Sequence, residues 1–351
     1  MADTAFADAS TTAGATLQIG EREVGPGHAT FVVAEVGVNH NGDASLAAAL
    51  IDAAADGGAD AVKLQAFDAG ALCSCRHKAA ERDMLARYGL GESALAELRD
   101  HATAAGLTWL VTPFGFEQVD EVVRLGVPAI KVGSGEVTHT PLLRRIGASG
   151  LPALLSTGAA DMADVKRAVG ALRRGGCAQI GLLHCTSVYP APDDALNLRA
   201  IPTLAAEFPD CVVGYSDHSM GTTAGVSAVA LGAAIIEKHL TLDRAMAGPD
   251  HRASAQPDEL GRLVREIRRL EQMVGDGVKR AAECEGLIGQ SLVAVRGLHA
   301  GHVVTPGDLT FKRPGWGMRP YELARVMGRR LRRDLPAEDV LTPDHVDWEG
   351  P

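Results

Sequence analysis

Aromatic residues are scarce in this chain, at 4%, and positive charge is in deficit, with 34 Lys and Arg against 44 Asp and Glu and a formal net charge of −10. A polyanion such as nucleic acid is therefore excluded as the main partner, because phosphate backbones are held by clustered Lys and Arg. A small anion in a locally basic pocket is not excluded. No apolar run reaches the roughly 20 residues that a membrane helix requires, so no membrane association is expected. The first residues, MADTAFADASTTAG, lack the basic and apolar regions of a signal peptide, and 1–16 reads as a disordered leader. The six cysteines stand at 73, 75, 177, 185, 211 and 284, too scattered for a disulfide framework, which fits a cytoplasmic protein. Cys73, Cys75 and His77 are close, but the CxC spacing lacks a second pair, and this stretch reads as a mobile loop rather than a metal site.

What is abundant is small and aliphatic: 46% of the 351 residues are hydrophobic and 40 are glycine. Such a composition suits an α/β protein, and the length suits a large domain followed by a small one. Short apolar runs recur at 31–36, 61–65, 108–112, 129–132, 153–157, 179–185, 212–216 and 234–239, each followed by a break and a helix-period stretch. Strands alternating with helices pair in parallel through right-handed crossovers, and eight such units close into a (β/α)8 TIM barrel; a doubly wound open sheet is the alternative. Most runs carry polar groups at the carboxyl end, where barrel active sites lie. Leu260, Leu263, Val264, Ile267 and Leu270 recur at helical spacing over 257–273, which predicts the helix that completes the outer ring. The long segment 66–92 predicts a functional loop overhanging the rim. The expected organisation is a barrel over 17–274, a tether over 275–289, and a small second domain over 290–351 with one short helix at 320–327.

The segments EVGVNHNGD (35–43), GADAVKLQAF (58–67), AIKVGSGE (129–136), LLHCTSVYPAP (182–192), VGYSDHSMG (213–221), IIEKHLTLDR (235–244) and GPDH (248–251) follow one another in a recognisable order. In order and spacing they resemble the N-acetylneuraminate (sialic acid) synthase family, and the segment with FKRPGWGMRP (311–320) resembles that family's antifreeze-like SAF domain. The likeness runs over residues 17–347. It implies a metal-dependent enzyme that condenses phosphoenolpyruvate with an N-acylated hexose, N-acetylmannosamine or a 2,4-diacetamido-trideoxy hexose, to a nonulosonic acid plus phosphate. A related barrel synthase using a phosphorylated aldose is the alternative.

The residues themselves point the same way. His218 and His239 close the last two barrel runs, neighbours about 4.8 Å apart, so both imidazoles can reach one divalent ion and leave positions open for water and substrate. A shell of nitrogen and oxygen admits manganese, magnesium, zinc or cobalt; the resemblance favours manganese, with magnesium or cobalt next. Glu237, two residues before His239 on the same strand face, is expected to orient a ligand or hold a metal-bound water. Lys63 and Lys131 point into the rim, where charges persist only if paired or bound to an anion. With the hydroxyls of Thr112, Ser134, Ser156 and Ser216 they resemble a cradle for phosphoenolpyruvate, to which the family resemblance adds Ser187, a position where some members have Asn. The resemblance counts Glu35 with Lys63, Lys131 and the two histidines among the catalytic residues. It places Glu35, Glu136, Tyr189 and Asp250, with Gln65 in the same polar set, around the sugar. It further implies a homodimer in which Arg313 of the SAF domain reaches the N-acyl group bound in the partner's barrel. A non-catalytic carbohydrate- or ice-binding scaffold would need none of these residues.

Overall fold

The computed structural model describes residues 14–275, 278–279 and 285–350. The first thirteen residues of the expected leader, and residues 276–277 and 280–284 of the expected tether, lie outside these. The chain divides into two compact units between Gly275 and Asp276.

The first unit opens with a hairpin that the sequence reading did not anticipate, β1 (Leu17–Ile19) against β2 (Arg22–Val24). Eight strands follow: β3 (Phe31–Gly37), β4 (Ala61–Ala66), β5 (Thr108–Pro113), β6 (Ile130–Val132), β7 (Ala153–Ser156), β8 (Ile180–Cys185), β9 (Val212–Asp217) and β10 (Ile235–His239). They form a closed parallel barrel in chain order, with β10 pairing back to β3. Each strand is followed by a helix of the outer ring: 44–56, 92–104, 116–124, 140–147, 162–175, 200–207, 223–230 and 257–274. Local chemistry sets their starts. Asp43 accepts the Ser45 and Leu46 N–H groups, Asp161 and Asp164 form a reciprocal capping box, and Pro257 occupies a first-turn position where its missing N–H is not needed.

Side chains alternate across each strand, so every second residue faces the barrel axis. Near the amino-terminal end the inward positions are apolar. Phe31, Val33, Ala61, Leu110, Ala129, Leu154, Leu183, Val212 and Ile235 pack there with Leu17, Ile19 and Val24 of the hairpin, which plugs the barrel floor. The outward positions, among them Val32, Ala34, Val62, Val111 and Ile236, pack under the helices in a separate core. One or two steps farther along, the inward positions turn polar, and that change of chemistry within one face builds the site described below.

Segment 66–92 is not a bare loop. It carries two helices, Ala69–Leu72 and Ala79–Tyr88, before the ring helix begins. Cys73 is buried, whereas Cys75 and His77 are exposed in the turn between these two helices, and among the described residues no three His, Cys, Asp or Glu side chains gather there as metal ligands. The second unit pairs β11 (Ser291–Ala294) antiparallel to β12 (Leu309–Lys312) over its own apolar core, including Leu292, Leu298, Leu331 and Leu341. Its expected helix at 320–327 is a 3-10 turn, Pro320–Glu322, running into Leu323–Val326. Among the described residues no helix is long and apolar enough to cross a membrane.

Candidate active site

The carboxyl ends of the barrel strands surround a cavity of about 570 Å³. Fifteen of the sixteen residues singled out from the sequence line it: Glu35, Lys63, Gln65, Thr112, Lys131, Ser134, Glu136, Ser156, Ser187, Tyr189, Ser216, His218, Glu237, His239 and Asp250. Arg313 does not; it is exposed in the second unit, just after β12.

At the cavity floor two lysines and two glutamates interlock. Lys63 Nζ lies 3.2 Å from Glu35 Oε2 and 3.3 Å from Glu237 Oε2, and Lys131 Nζ lies 3.6 Å from Glu237 Oε1. The rim hydroxyls complete the set: Lys63 donates to Thr112 Oγ1 (3.1 Å), Lys131 to Ser156 Oγ (2.8 Å), and Ser216 Oγ to Glu237 Oε1 (2.8 Å). All four charges are buried, so each depends on the others for its ionised state. The two carboxyls differ because their surroundings do. Burial pushes Glu35 up to about 7 against the pull of Lys63, whereas Glu237, although burial opposes its charge, is held below the ordinary carboxylate range by Lys131 and Lys63 together. Gln65 Nε2 donates to Glu35 Oε1 at 2.9 Å, and Glu35 Oε2, 3.2 Å from the Lys63 ammonium, makes no hydrogen bond.

The imidazoles stand beside this tetrad, their ring centroids 5.3 Å apart. His218 Nδ1 donates to the Thr186 carbonyl at 2.8 Å, which fixes the tautomer and leaves the Nε2 lone pair to the cavity. Burial lowers both histidines, His239 well below its ordinary value with His218 adding to the effect, so both are neutral at pH 7. His239 Nδ1 is buried without a hydrogen-bond partner, and the nearest acid, Asp250 Oδ2, is 3.8 Å away. Two neutral imidazoles, one with an orphaned ring nitrogen, beside carboxylates are a donor set that fits a divalent cation. Among the described residues no three His, Cys, Asp or Glu side chains converge as a closed cage, so such an ion would complete its shell with other oxygen ligands.

Above the histidines the Tyr189 ring lies against His218 at a centroid distance of 4.0 Å, the ring planes tilted by 33°. On the β6 side, Glu136 Oε2 is buried without a partner, and burial pushes this carboxyl up to about 7. Burial likewise raises Asp250 to about 6. Between β7 and β8 the Gly158 N–H donates to Ser134 Oγ at 3.0 Å, and a Cβ at this position would come within 2.5 Å of Ser187 Oγ and 2.8 Å of Cys185 Sγ. Glycine is therefore what lets the backbone amide and three polar side chains share one concave patch.

Sequence reasoning missed several lining residues. Leu72, Cys73, Ser74, Lys78 and Glu81 come from segment 66–92, whose length marked it as functional without showing which face turns inward. Cys185 lines the floor, its Sγ 3.6 Å from both Ser134 Oγ and His218 Nδ1. Strand alternation, two residues on from inward Leu183, was signal enough to find it.

The model described as the NeuB family matches residues 50–279, and the SAF domain model matches 289–347. The chain belongs to the NeuB family. It is 38% identical over 330 residues to N,N'-diacetyllegionaminic acid synthase of Campylobacter jejuni, covering 89% of this chain and 98% of that one. It is 32% identical over 351 residues to N-acetylneuraminate-9-phosphate synthase of Homo sapiens, covering 94% and 96%. The crystal structure of N-acetylneuraminic acid synthetase from Leptospira borgpetersenii superposes with a TM-score of 0.74 at 33% identity, over 78% of this chain and 94% of that one. The named relatives are thus sialic-acid-type synthases with differing products.

Proposed function

We propose that this NeuB-family protein condenses phosphoenolpyruvate with an unphosphorylated N-acylated hexose to give a nonulosonic acid and inorganic phosphate. The observation that carries the reading is the cavity floor, where two buried lysines and a fan of hydroxyls lie against a neutral imidazole pair. Lys63, Lys131, Ser134, Ser156, Ser187, Ser216 and the Gly158 amide hold the phosphate and carboxylate of phosphoenolpyruvate. Glu136, Tyr189, Asp250 and Gln65 orient the open-chain sugar so that its aldehyde carbon faces the methylene carbon of the enol. Carbon–carbon bond formation leaves an oxygen that takes a proton and a cationic second carbon that water captures. Loss of phosphate by carbon–oxygen cleavage then yields the 2-keto acid, and the two lysines stabilise the charge on the leaving group. His218 and His239 would hold a divalent cation, most simply manganese, which supplies Lewis-acid polarisation of a carbonyl.

Charge at the mouth favours the unphosphorylated acceptor over its 6-phosphate. Lys63 and Lys131 belong to the floor, and Lys78, the remaining cavity-lining cation among the described residues, is paired with Glu81 at 2.8 Å. Among the described residues no Lys or Arg forms an ion pair with Glu136 or Asp250, which suits hydroxyl and amide N–H partners, and Asp250, raised only to about 6, is charged at pH 7 and repels a phosphate dianion. We further propose that the chain works as a homodimer in which Arg313 serves the partner's cavity. Its exposure, next to exposed Phe311 and Trp316, supports that reading.

Phosphate release from phosphoenolpyruvate tests these points together. With Mn(II), release is expected with N-acetylmannosamine or a 2,4-diacetamido-trideoxy hexose, and EDTA should stop it. Turnover of N-acetylmannosamine 6-phosphate alone would overturn the acceptor assignment, and silence with every sugar would overturn the condensation. Mixing inactive Arg313→Ala with inactive His218→Ala should restore activity through hybrid dimers, and no rescue would remove the partner arginine.

A further inference from the structure

Asp217 and Lys238 face away from the cavity. They sit opposite each other in the β9–β10 register, and alternation turns them outward because their neighbours Ser216 and Glu237 face in. There, between barrel and helices, both side chains are almost completely buried, at 0% and 1% exposure. Gly225 of the helix Thr223–Ala230 lies over the carboxylate, where a Cβ would come to 3.7 Å from Asp217 Oδ2. An ion pair in such a layer carries a large desolvation penalty, and apolar residues of similar volume are often as stable or more so. Stability alone does not account for it.

The hydrogen bonds show what an apolar pair could not do. Lys238 Nζ donates to Asp217 Oδ2 at 2.8 Å and to the Ser219 carbonyl at 2.5 Å. Asp217 Oδ1 accepts from the Ser219 N–H at 2.8 Å and from Ser219 Oγ at 2.7 Å. His218 is thus gripped on both sides, through residues 217 and 219, by a lysine whose next residue in the chain is His239. We propose that the Asp217–Lys238–Ser219 cluster is a positioning clamp that fixes the two imidazoles relative to each other, setting affinity for the divalent cation without touching it. The affinity part rests on the metal reading above; the fixing of the imidazoles does not.

Replacing the charges together, as Asp217→Leu with Lys238→Met, avoids a stranded buried charge and should preserve the fold. Mn(II) affinity, followed by electron paramagnetic resonance, should weaken by about 10- to 100-fold, the range for groups that orient metal-binding histidines. Heteronuclear imidazole NMR of the metal-free full chain gives an independent reading. Wild-type His218 should show the single tautomer protonated at Nδ1, and the double variant should show averaged or broadened signals at His218 and His239. Ser219→Ala, which keeps the ion pair, should disturb His218 alone. A wild-type chain that binds no Mn(II) would sink the metal reading and leave the imidazole spectra to judge the clamp. Unchanged spectra in the double variant, or in Ser219→Ala should the double variant not fold, would overturn the proposal.

Discussion

Glu136 offers a quantitative test of the cavity's electrostatics that needs no substrate. Its side chain is 8% exposed, and Oε2 has no hydrogen-bond partner. Burial raises the carboxyl from 4.5 to about 7 in the folded chain, against a hydrogen bond from its own backbone N–H and the pull of Lys131. Between these values the folded state holds a proton that the unfolded state has released. The group therefore opposes folding progressively as pH rises from about 4.5 to 7, and its full penalty is present above that. At 1.36 kcal/mol per pKa unit the penalty reaches about 3 kcal/mol, of which about 2.5 kcal/mol develops between pH 5 and pH 8. Glu136→Gln keeps the shape and abolishes the titration. Urea denaturation of both proteins at pH 5, 6, 7 and 8 should show the variant gaining on the wild type by about that amount across the range, with every other titrating group cancelling in the difference. Parallel stability profiles would mean that the carboxylate is well solvated and that this wall of the cavity is not the low-dielectric surface described above.

Two further perturbations separate the barrel's ends. Asp60 sits at the floor, where it accepts from Arg22, from Arg268 Nη2 at 2.7 Å and from the Val32 N–H at 2.8 Å. Asp60→Asn should lower stability by about 2 kcal/mol in thermal or urea unfolding and leave KM for phosphoenolpyruvate unchanged; a shifted KM would show that floor and mouth are coupled. At the mouth, Gly42 has φ +79°, and a Cβ there would come within 2.2 Å of the Arg87 carbonyl at the end of helix Ala79–Tyr88. Gly42→Ala should therefore push that helix away, seen as faster amide exchange over 79–88 and a higher KM for the sugar. Unaltered exchange there would refute the contact.

Much of this architecture could be read without coordinates because a parallel barrel repeats one simple rule. The eight runs taken as strands match β3–β10 to within a residue at each end, since each is an apolar stretch closed by Gly, Pro or a polar break. The hairpin over 17–24 escaped because two three-residue strands with charged Arg22 and Glu23 carry no periodic signal; only packing under the barrel makes them strands. Segment 66–92 escaped in part for a similar reason. Helix Ala79–Tyr88 fully buries no residue, and its half-covered Met84, Leu85 and Tyr88 make too short an apolar stripe to show which face turns inward.

The pairing of Lys63 with Glu35 and Glu237, and of Lys131 with Glu237, was not legible either, although every participant was singled out. Residue type shows that a buried lysine needs an anion; which anion depends on register, and register belongs to the whole barrel. In the observed pairing Glu35 lies opposite Lys63 on β4 and His239 on β10, while Glu237 lies opposite Ser216. A slip of one residue in any strand would turn its charges into the apolar layer beneath the helices and its Val, Leu or Ile into the cavity. The apolar floor forbids that slip, because Phe31, Leu110, Leu154 and Ile235 can fill the space above the hairpin only in this phase. The polar chemistry at the mouth is in this sense held in place from below: two steps along each strand separate a residue chosen for packing from one chosen for charge.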